Sequence, residues 1–149
     1  ACIGAIVGLV AITPAAGYVS IGASAAIGVI ASWVSFVAVG LRSKSNLDDT
    51  LDVFPCHGMG GIVGMILTAV FAKEGGVLNG GGFHLLSVHL LGLAIVVSYS
   101  FGMSLILYKV VKFFVPLEVS LEDERLGLDL SQHGEQAEFW DGSDRRMNS

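Results

Sequence analysis

Four long apolar segments, nearly free of charged side chains, constrain what this chain can fold into. They cover residues 1–17, 19–41, 51–72 and 83–114, with Asp52, Lys109 and Lys112 as their only charges. A helix needs about 20 apolar residues to cross the roughly 30 Å hydrocarbon core of a bilayer. Charged residues make up 14% of the chain, against about a quarter in an average soluble domain. The sequence therefore predicts an all-α, polytopic membrane helix bundle in contact with a lipid bilayer.

The first and last segments depart from the usual spanning length. Residues 1–17 are slightly short, and the chain opens inside an apolar run without a start methionine or a basic signal-peptide region. We therefore expect a fragment of a longer protein. A helix over residues 83–114 would be about 48 Å long, so it should tilt or protrude from the membrane.

The basic residues predict the orientation of the segments. Arg42 and Lys44 follow the second segment and Lys109 and Lys112 end the fourth, whereas Lys73 stands alone on the other side. Because cytoplasmic loops carry the excess of Lys and Arg, we expect the loop after Arg42 and the C-terminus to be cytoplasmic. The expected location is the plasma membrane.

The acidic residues predict a second region. From Leu117 onward the chain has nine acids and three arginines, whereas the rest carries a net charge of +1. We therefore expect a transmembrane region at 1–116 and a cytoplasmic tail at 117–149. The chain lacks the clustered basic charge that a nucleic-acid-binding surface requires.

Glycine and proline are placed where helices would pack or break. Gly60 and Gly64 are four residues apart, as are Gly4 and Gly8, and small residues at this spacing let helix backbones approach closely. Pro14 should break or kink the first helix.

His57 is the most informative single residue. It lies in the stretch DDTLDVFPCHGMGGIVG, nine residues after Asp48, so a helix would bury it about 13 Å deep. An ionisable side chain at that depth is by default a functional candidate, with packing as the alternative. For His84 and His89, near the outer end of the fourth segment, we favour an interfacial position. The spacing of His and Cys fits no metal site, and we expect no cofactor.

Three carboxylates precede His57 at the predicted cytoplasmic end. Asp48, Asp49 and Asp52 could complement the helix dipole or cap free backbone N–H groups. A direct role at a pore exit is the alternative, and the structural role is preferred.

Three stretches together resemble the Amt/Mep/Rh ammonium transporter family, on its Amt side. They are GAIVGLVAITPAAG, DDTLDVFPCHGMGGIVG and RLGLDLSQHGE, in the family's order and spacing. The resemblance extends to about Glu138 and implies an eleven-span, homotrimeric transporter with one pore in each subunit. This chain would supply the last four spans and the tail.

The resemblance also implies the pore residues. His57 matches the second of two histidines that share a hydrogen bond in a narrow hydrophobic passage, and the first would lie outside this chain. Val53, one turn before His57, and Thr13 match positions near the passage, with packing as the alternative for both. Ammonium would be deprotonated, and ammonia would cross.

Two other functions are alternatives to transport. Some members of the family act as ammonium sensors, and this chain could sense ammonium through bound partner proteins. An intramembrane enzyme lacks a nucleophile–base pair or a metal set in the sequence.

The tail carries the last predicted site. Its matching residues are Gly127, Asp129, His133, Gly134 and Glu135. Glycine permits turns with positive φ, so we expect residues 125–135 to fold back and dock on the cytoplasmic face, coupling the tail to the pore. The resemblance implies that a PII-type signalling protein acts at this face. Residues 141–149 are expected to be solvated and unstructured.

Overall fold

The computed structural model describes residues 2–45 and 48–135, and every regular element in these ranges is helical. Helix α1 (Cys2–Ile12) continues into a 3-10 turn (Thr13–Ala15), and α2 (Ile21–Arg42) follows. A π-helical turn (Phe54–Gly58) leads into α3 (Met59–Phe71), and a second 3-10 turn (Val77–Asn79) precedes α4 (His84–Phe114). Helix α5 (Leu121–Leu126) and a second π-helical turn (Asp129–His133) complete the described part. The all-α fold class predicted from the sequence is confirmed.

Three helical stretches within the described ranges are long and apolar enough to cross a membrane. They are Ile21–Arg42, Phe54–Phe71 and His84–Phe114, and their ends lie within three residues of the segments predicted at 19–41, 51–72 and 83–114. The first predicted segment, 1–17, instead forms a shorter apolar helical stretch, Cys2–Ala15.

Pro14 accounts for the end of α1, as predicted. Proline has no N–H to donate, and its ring clashes with the carbonyl four residues earlier. The α-helix therefore stops at Ile12, and Pro14 lies in the 3-10 turn that follows. The Tyr18 N–H then donates to the Ala15 carbonyl at 3.0 Å, and Gly17 adopts a φ of +85°, so the chain reverses toward α2.

Helices α1, α2 and α3 pack around a small apolar core. Its buried residues are Val7, Ala11, Ala15, Val19, Ile27, Ala31 and Cys56. The predicted role of Gly60 and Gly64 in close packing is confirmed. A Cβ at Gly64 would lie 2.4 Å from the carbonyl oxygen of Ala11, and one at Gly60 would lie 3.4 Å from the Val7 side chain. The two glycines therefore set the register of α3 against α1.

The boundary between two compact units lies inside α4, between Phe101 and Gly102. In the first unit, the His89 ring nitrogen Nδ1 lies 2.9 Å from the carbonyl oxygen of Met65 on α3. No residue of α4 is buried within the described chain. Within the first unit, the residues of α4 are therefore exposed or half-buried.

Candidate functional site

His57 lies on the π-helical turn that opens the third apolar segment. Its side chain is exposed at the surface of the described chain, and its ring forms no hydrogen bond with any residue in the described ranges. Val53, one turn earlier, is 52% exposed. Residues four apart lie on the same face of a helix, so His57 and Val53 share one open face.

Thr13 lies at a different level from His57. The contacts of Gly60 with Val7 and of Gly64 with Ala11 give α1 and α3 a common register, in which Thr13 is level with residue 66. That is nine residues beyond His57, or about 13 Å along a helix axis. The Thr13 hydroxyl donates to the Leu9 carbonyl at 2.9 Å. Val53 thus lies one turn from His57 along the chain, whereas Thr13 lies on another helix at a different level.

Asp49 caps the start of the helical stretch with both carboxylate oxygens. Its Oδ1 accepts from the Val53 N–H at 2.8 Å, and its Oδ2 accepts from the Phe54 N–H at 2.9 Å. These two bonds, that to Phe54 first, hold the pKa of the Asp49 carboxyl below its usual value, and the positive charge of Arg42 adds a smaller effect.

The remaining N–H groups of this first turn are also accounted for. The first four N–H groups of a helix have no partner inside the helix. Asp49 takes those of Val53 and Phe54, Pro55 has none, and the Asp52 carbonyl accepts from the Cys56 N–H at 3.0 Å. The stretch DDTLDVFPC thus supplies an acceptor for each N–H group of this first turn.

Asp52 has a different role from Asp49. Its Oδ1 accepts from Arg42 Nε at 3.0 Å and also from Arg42 Nη2, forming an ion pair between the end of α2 and the start of the π-helical turn. Asp52 has a φ of +54° and is the only residue other than glycine with positive φ in the described ranges. Asp48 is exposed, and its Oδ1 accepts from the Thr50 hydroxyl at 3.3 Å.

A buried hydrogen bond ties the π-helical turn to α2. The Ser35 hydroxyl donates to the Pro55 carbonyl at 2.7 Å. The Met59 N–H, which an α-helix would direct to that carbonyl, donates instead to the Phe54 carbonyl. Ser35 therefore compensates for the altered hydrogen-bond pattern of the turn.

The tail residues that match the family motif form a compact local structure. Gly127 and Gly134 have φ values of +95° and +65°, and each ends a short helical element. The Gly134 N–H donates to the Leu130 carbonyl, and the Glu135 N–H donates to the Asp129 carbonyl at 3.0 Å. Ser131 joins the two elements through its hydroxyl, which donates to the Asp123 carbonyl at 3.3 Å. His133 is exposed, and residues 141–149 lie outside the described residues.

Two residues that hold the site together are not predicted from the sequence as part of it. Arg42 predicts only the orientation of the segments, and Ser35 belongs to no recognisable motif. A signal for the irregular turn was present, because Pro55 lies inside a predicted helix and must remove one backbone hydrogen bond. Across residues 2–45 and 48–135, His, Cys, Asp and Glu form no group of three that could hold a metal ion.

Comparison with known proteins identifies the family. A sequence profile described as the Ammonium Transporter Family matches residues 1–138. The ammonium transporter Amt1 of Archaeoglobus fulgidus is 41% identical over 140 residues, which cover 90% of this chain and 35% of that protein.

Two further relatives give the same result. The ammonium transporters of Bacillus subtilis and Aquifex aeolicus are 42% and 44% identical over 90% of this chain. The matched regions cover 35% and 33% of those proteins. The chain therefore spans about a third of the length of these curated relatives. Its three helices of spanning length agree with an integral membrane protein, and the chain belongs to the ammonium transporter family.

Proposed function

We propose that a complete transporter containing this chain carries ammonium or ammonia across a membrane, and that His57 lines its pore. One observation carries the assignment of the site. The His57 ring is exposed and without a hydrogen-bond partner in the described chain, although it lies in an apolar segment. A histidine that served packing alone would be expected to find its partner inside the bundle.

The chemistry of imidazole suits this position. A bare cation that enters a dry passage loses its hydration at high cost, whereas neutral ammonia crosses more easily. A neutral imidazole offers one donor and one acceptor, and its ordinary pKa lies near neutrality. We propose that His57 is the second of two paired histidines at which ammonium gives up its proton, with the first on an upstream span. Val53 lines the pathway one turn before His57, and Thr13 lines it about 13 Å beyond His57.

The three carboxylates support the pore rather than bind the substrate in this proposal. Both oxygens of Asp49 accept from backbone N–H groups, and the Oδ1 of Asp52 accepts from Arg42. Asp49 therefore has both oxygens engaged at the helix start, and the charge of Asp52 is paired with that of Arg42. Asp48 is the most open of the three and bonds only to Thr50 among the described residues.

His57→Ala in the complete transporter, reconstituted in liposomes, tests the proposal. We expect ammonium uptake per inserted protein to fall, or selectivity against potassium to be lost, with normal insertion and assembly. His84→Ala is the matched control, because His84 is also exposed but lies at the start of α4. Unchanged uptake and selectivity in His57→Ala would contradict the pore assignment. Absence of flux in the unmodified protein would favour a sensor.

Assembly and regulation belong to the same proposal. The complete protein would be a homotrimer in the plasma membrane with a cytoplasmic C-terminus, open to a PII-type partner. The motif residues Gly127, Asp129, His133, Gly134 and Glu135 would couple the tail to the pore.

Deletion after Leu121 should then lower uptake while the protein stays in the membrane. Hydrogen exchange should be slower over residues 126–135 than over 141–149. Full activity of the truncated protein with equally fast exchange in both stretches would remove the tail from the mechanism.

A further inference from the structure

We propose that Arg42 and Asp52 are positioning residues, which fix the π-helical turn that presents His57 and thereby set transport rate and selectivity. This inference rests on the proposed role of His57 in the pore. Neither residue is assigned contact with the substrate. Their action is on the backbone that carries the histidine.

The backbone of Asp52 is held by a contact from another helix. Its φ of +54° lies in the left-handed region, which aspartate tolerates better than most L-residues, and residues in that region persist where the surrounding structure holds them. The Oδ1 atom of Asp52 accepts hydrogen bonds from both Nε and Nη2 of Arg42. The side chains of Arg42 and Asp52 are only 24% and 19% exposed, so this pair is less screened by water than one on an open surface.

The conformation of Asp52 is transmitted directly to the turn. Its own N–H donates to the Asp49 carbonyl at 3.1 Å, and its carbonyl accepts from the Cys56 N–H at 3.0 Å. Cys56 immediately precedes His57. A return of Asp52 to negative φ would redirect its carbonyl away from Cys56 and change the direction in which His57 points.

Helix α2 holds this turn at two points. Arg42 and Ser35 are seven residues apart, two helical turns along one face of α2. Arg42 binds Asp52, just before the turn, and Ser35 binds the Pro55 carbonyl, inside it. The orientation of His57 is therefore set from α2 at both of these points.

Four variants separate the ion pair from the backbone strain. Asp52→Gly keeps the left-handed conformation without strain and removes the carboxylate, and Asp52→Asn also tolerates that conformation but removes the charge. Arg42→Met removes the cation, and Arg42→Lys keeps the charge but loses the fixed fork of donors. Lys44→Met is the control, because it removes a neighbouring charge outside the pair.

The measurement is uptake in liposomes containing the complete transporter, normalised to inserted protein, over a range of ammonium concentrations and with potassium as competitor. We expect Asp52→Gly and Arg42→Met each to lower the maximal rate on the order of ten-fold, since misplacement by about 1 Å can cost 10²-fold. The half-saturating concentration should stay within about two-fold of the original, because substrate binding is not touched. The double variant with Asp52→Gly and Arg42→Met should lower the maximal rate no more than either substitution alone. Arg42→Lys and Asp52→Asn should retain part of the rate.

The outcomes distinguish this role from the alternatives. If Asp52 bound ammonium directly, removing Arg42 would free the carboxylate and change the half-saturating concentration in the opposite direction to Asp52→Gly. Opposite changes of that kind would overturn the inference, as would wild-type rate and selectivity per protein in Arg42→Met. If Arg42→Met does not insert into the membrane, Arg42→Lys and Asp52→Asn provide the test, because both replace a side chain with one of similar size. Wild-type rates per protein in both would also overturn it.

A His57→Ala background separates this inference from the proposed pore function. In that background Arg42→Met should have no further effect on selectivity, because the residue it positions is gone. If His57→Ala alone changes nothing, the pore assignment is wrong. If His57→Ala impairs transport but Arg42→Met acts fully additively with it, the pore assignment stands and the positioning role is wrong.

Discussion

The two halves of the third apolar segment are held in opposite ways. The turn half, residues 53–58, has an irregular backbone whose polar groups are bonded by Asp49, Asp52 and Ser35. The helix half, residues 59–71, is a regular α-helix that contacts α1 through Gly60 and Gly64. The turn half is held by polar side chains from α2 and from the preceding loop. The helix half is held by close backbone packing, which glycine allows because it has no side chain.

This difference explains where the candidate site lies. A regular helix satisfies its own backbone, so α3 needs only a close-fitting surface to be fixed in the membrane. An irregular turn in the same apolar segment needs partners from outside itself. Because those partners bind the backbone of the turn, the His57 side chain is left free. The helix half fixes the depth of the segment, and the turn half fixes the orientation of its histidine.

Gly64→Ala should break the helix half and produce the largest loss of stability. The new Cβ would lie 2.4 Å from the Ala11 carbonyl oxygen and 2.9 Å from its Cα, and backbone atoms cannot move aside as a flexible side chain can. We expect a decrease of about 3 kcal/mol in the free energy of unfolding, at the upper end for overpacking, because the clash is with backbone. Unfolding of the complete transporter in mixed micelles, followed by circular dichroism, would measure it.

Gly61→Ala is the matched control for that change. Gly61 has no atom within 4 Å of an added Cβ in the described chain, and alanine favours a helix over glycine by up to about 1 kcal/mol. Its stability should therefore be unchanged or slightly raised. A similar loss in both variants would show that contact with α1 is not what places the helix half.

The sequence predicted the helix half better than the turn half for a physical reason. Hydropathy and the spacing of Gly60 and Gly64 are local patterns, and they were sufficient to predict a span and its packing face. The turn half depends on Arg42 and Ser35, which are 10 and 20 residues from their partners. No periodicity links such residues, so their contacts could only be found once the helices were placed. His57 itself was predictable because an isolated ionisable residue in an apolar segment is conspicuous in any sequence.

Ser35→Ala should loosen the turn half while leaving the helix half intact. The Pro55 carbonyl would lose a buried donor, and an unsatisfied buried acceptor costs about 1–3 kcal/mol. Hydrogen exchange should become faster over residues 53–58 and stay unchanged over 62–71. Ser24→Ala is the control, because the Ser24 hydroxyl donates only to the Ile21 carbonyl within its own helix. Uniformly faster exchange across both halves would mean that they are one cooperative unit.

Asp49→Asn tests the start of the turn half and should have the smallest effect, one that depends on pH. An asparagine side chain offers only one accepting oxygen, so one of the N–H groups of Val53 and Phe54 loses its partner. The pKa of the Asp49 carboxyl lies below 3.8 in the folded protein, so its stabilising contribution is present above that value and is lost as pH falls through the lowered pKa. The difference in unfolding midpoint between the original protein and Asp49→Asn should therefore be constant from pH 7 to 5 and shrink below pH 3.8. Asp48→Asn, whose carboxylate contacts only Thr50 among the described residues, should show little difference at any pH. A difference for Asp49→Asn that persists unchanged at the lowest pH would mean that the ionised carboxylate does not hold this helix start.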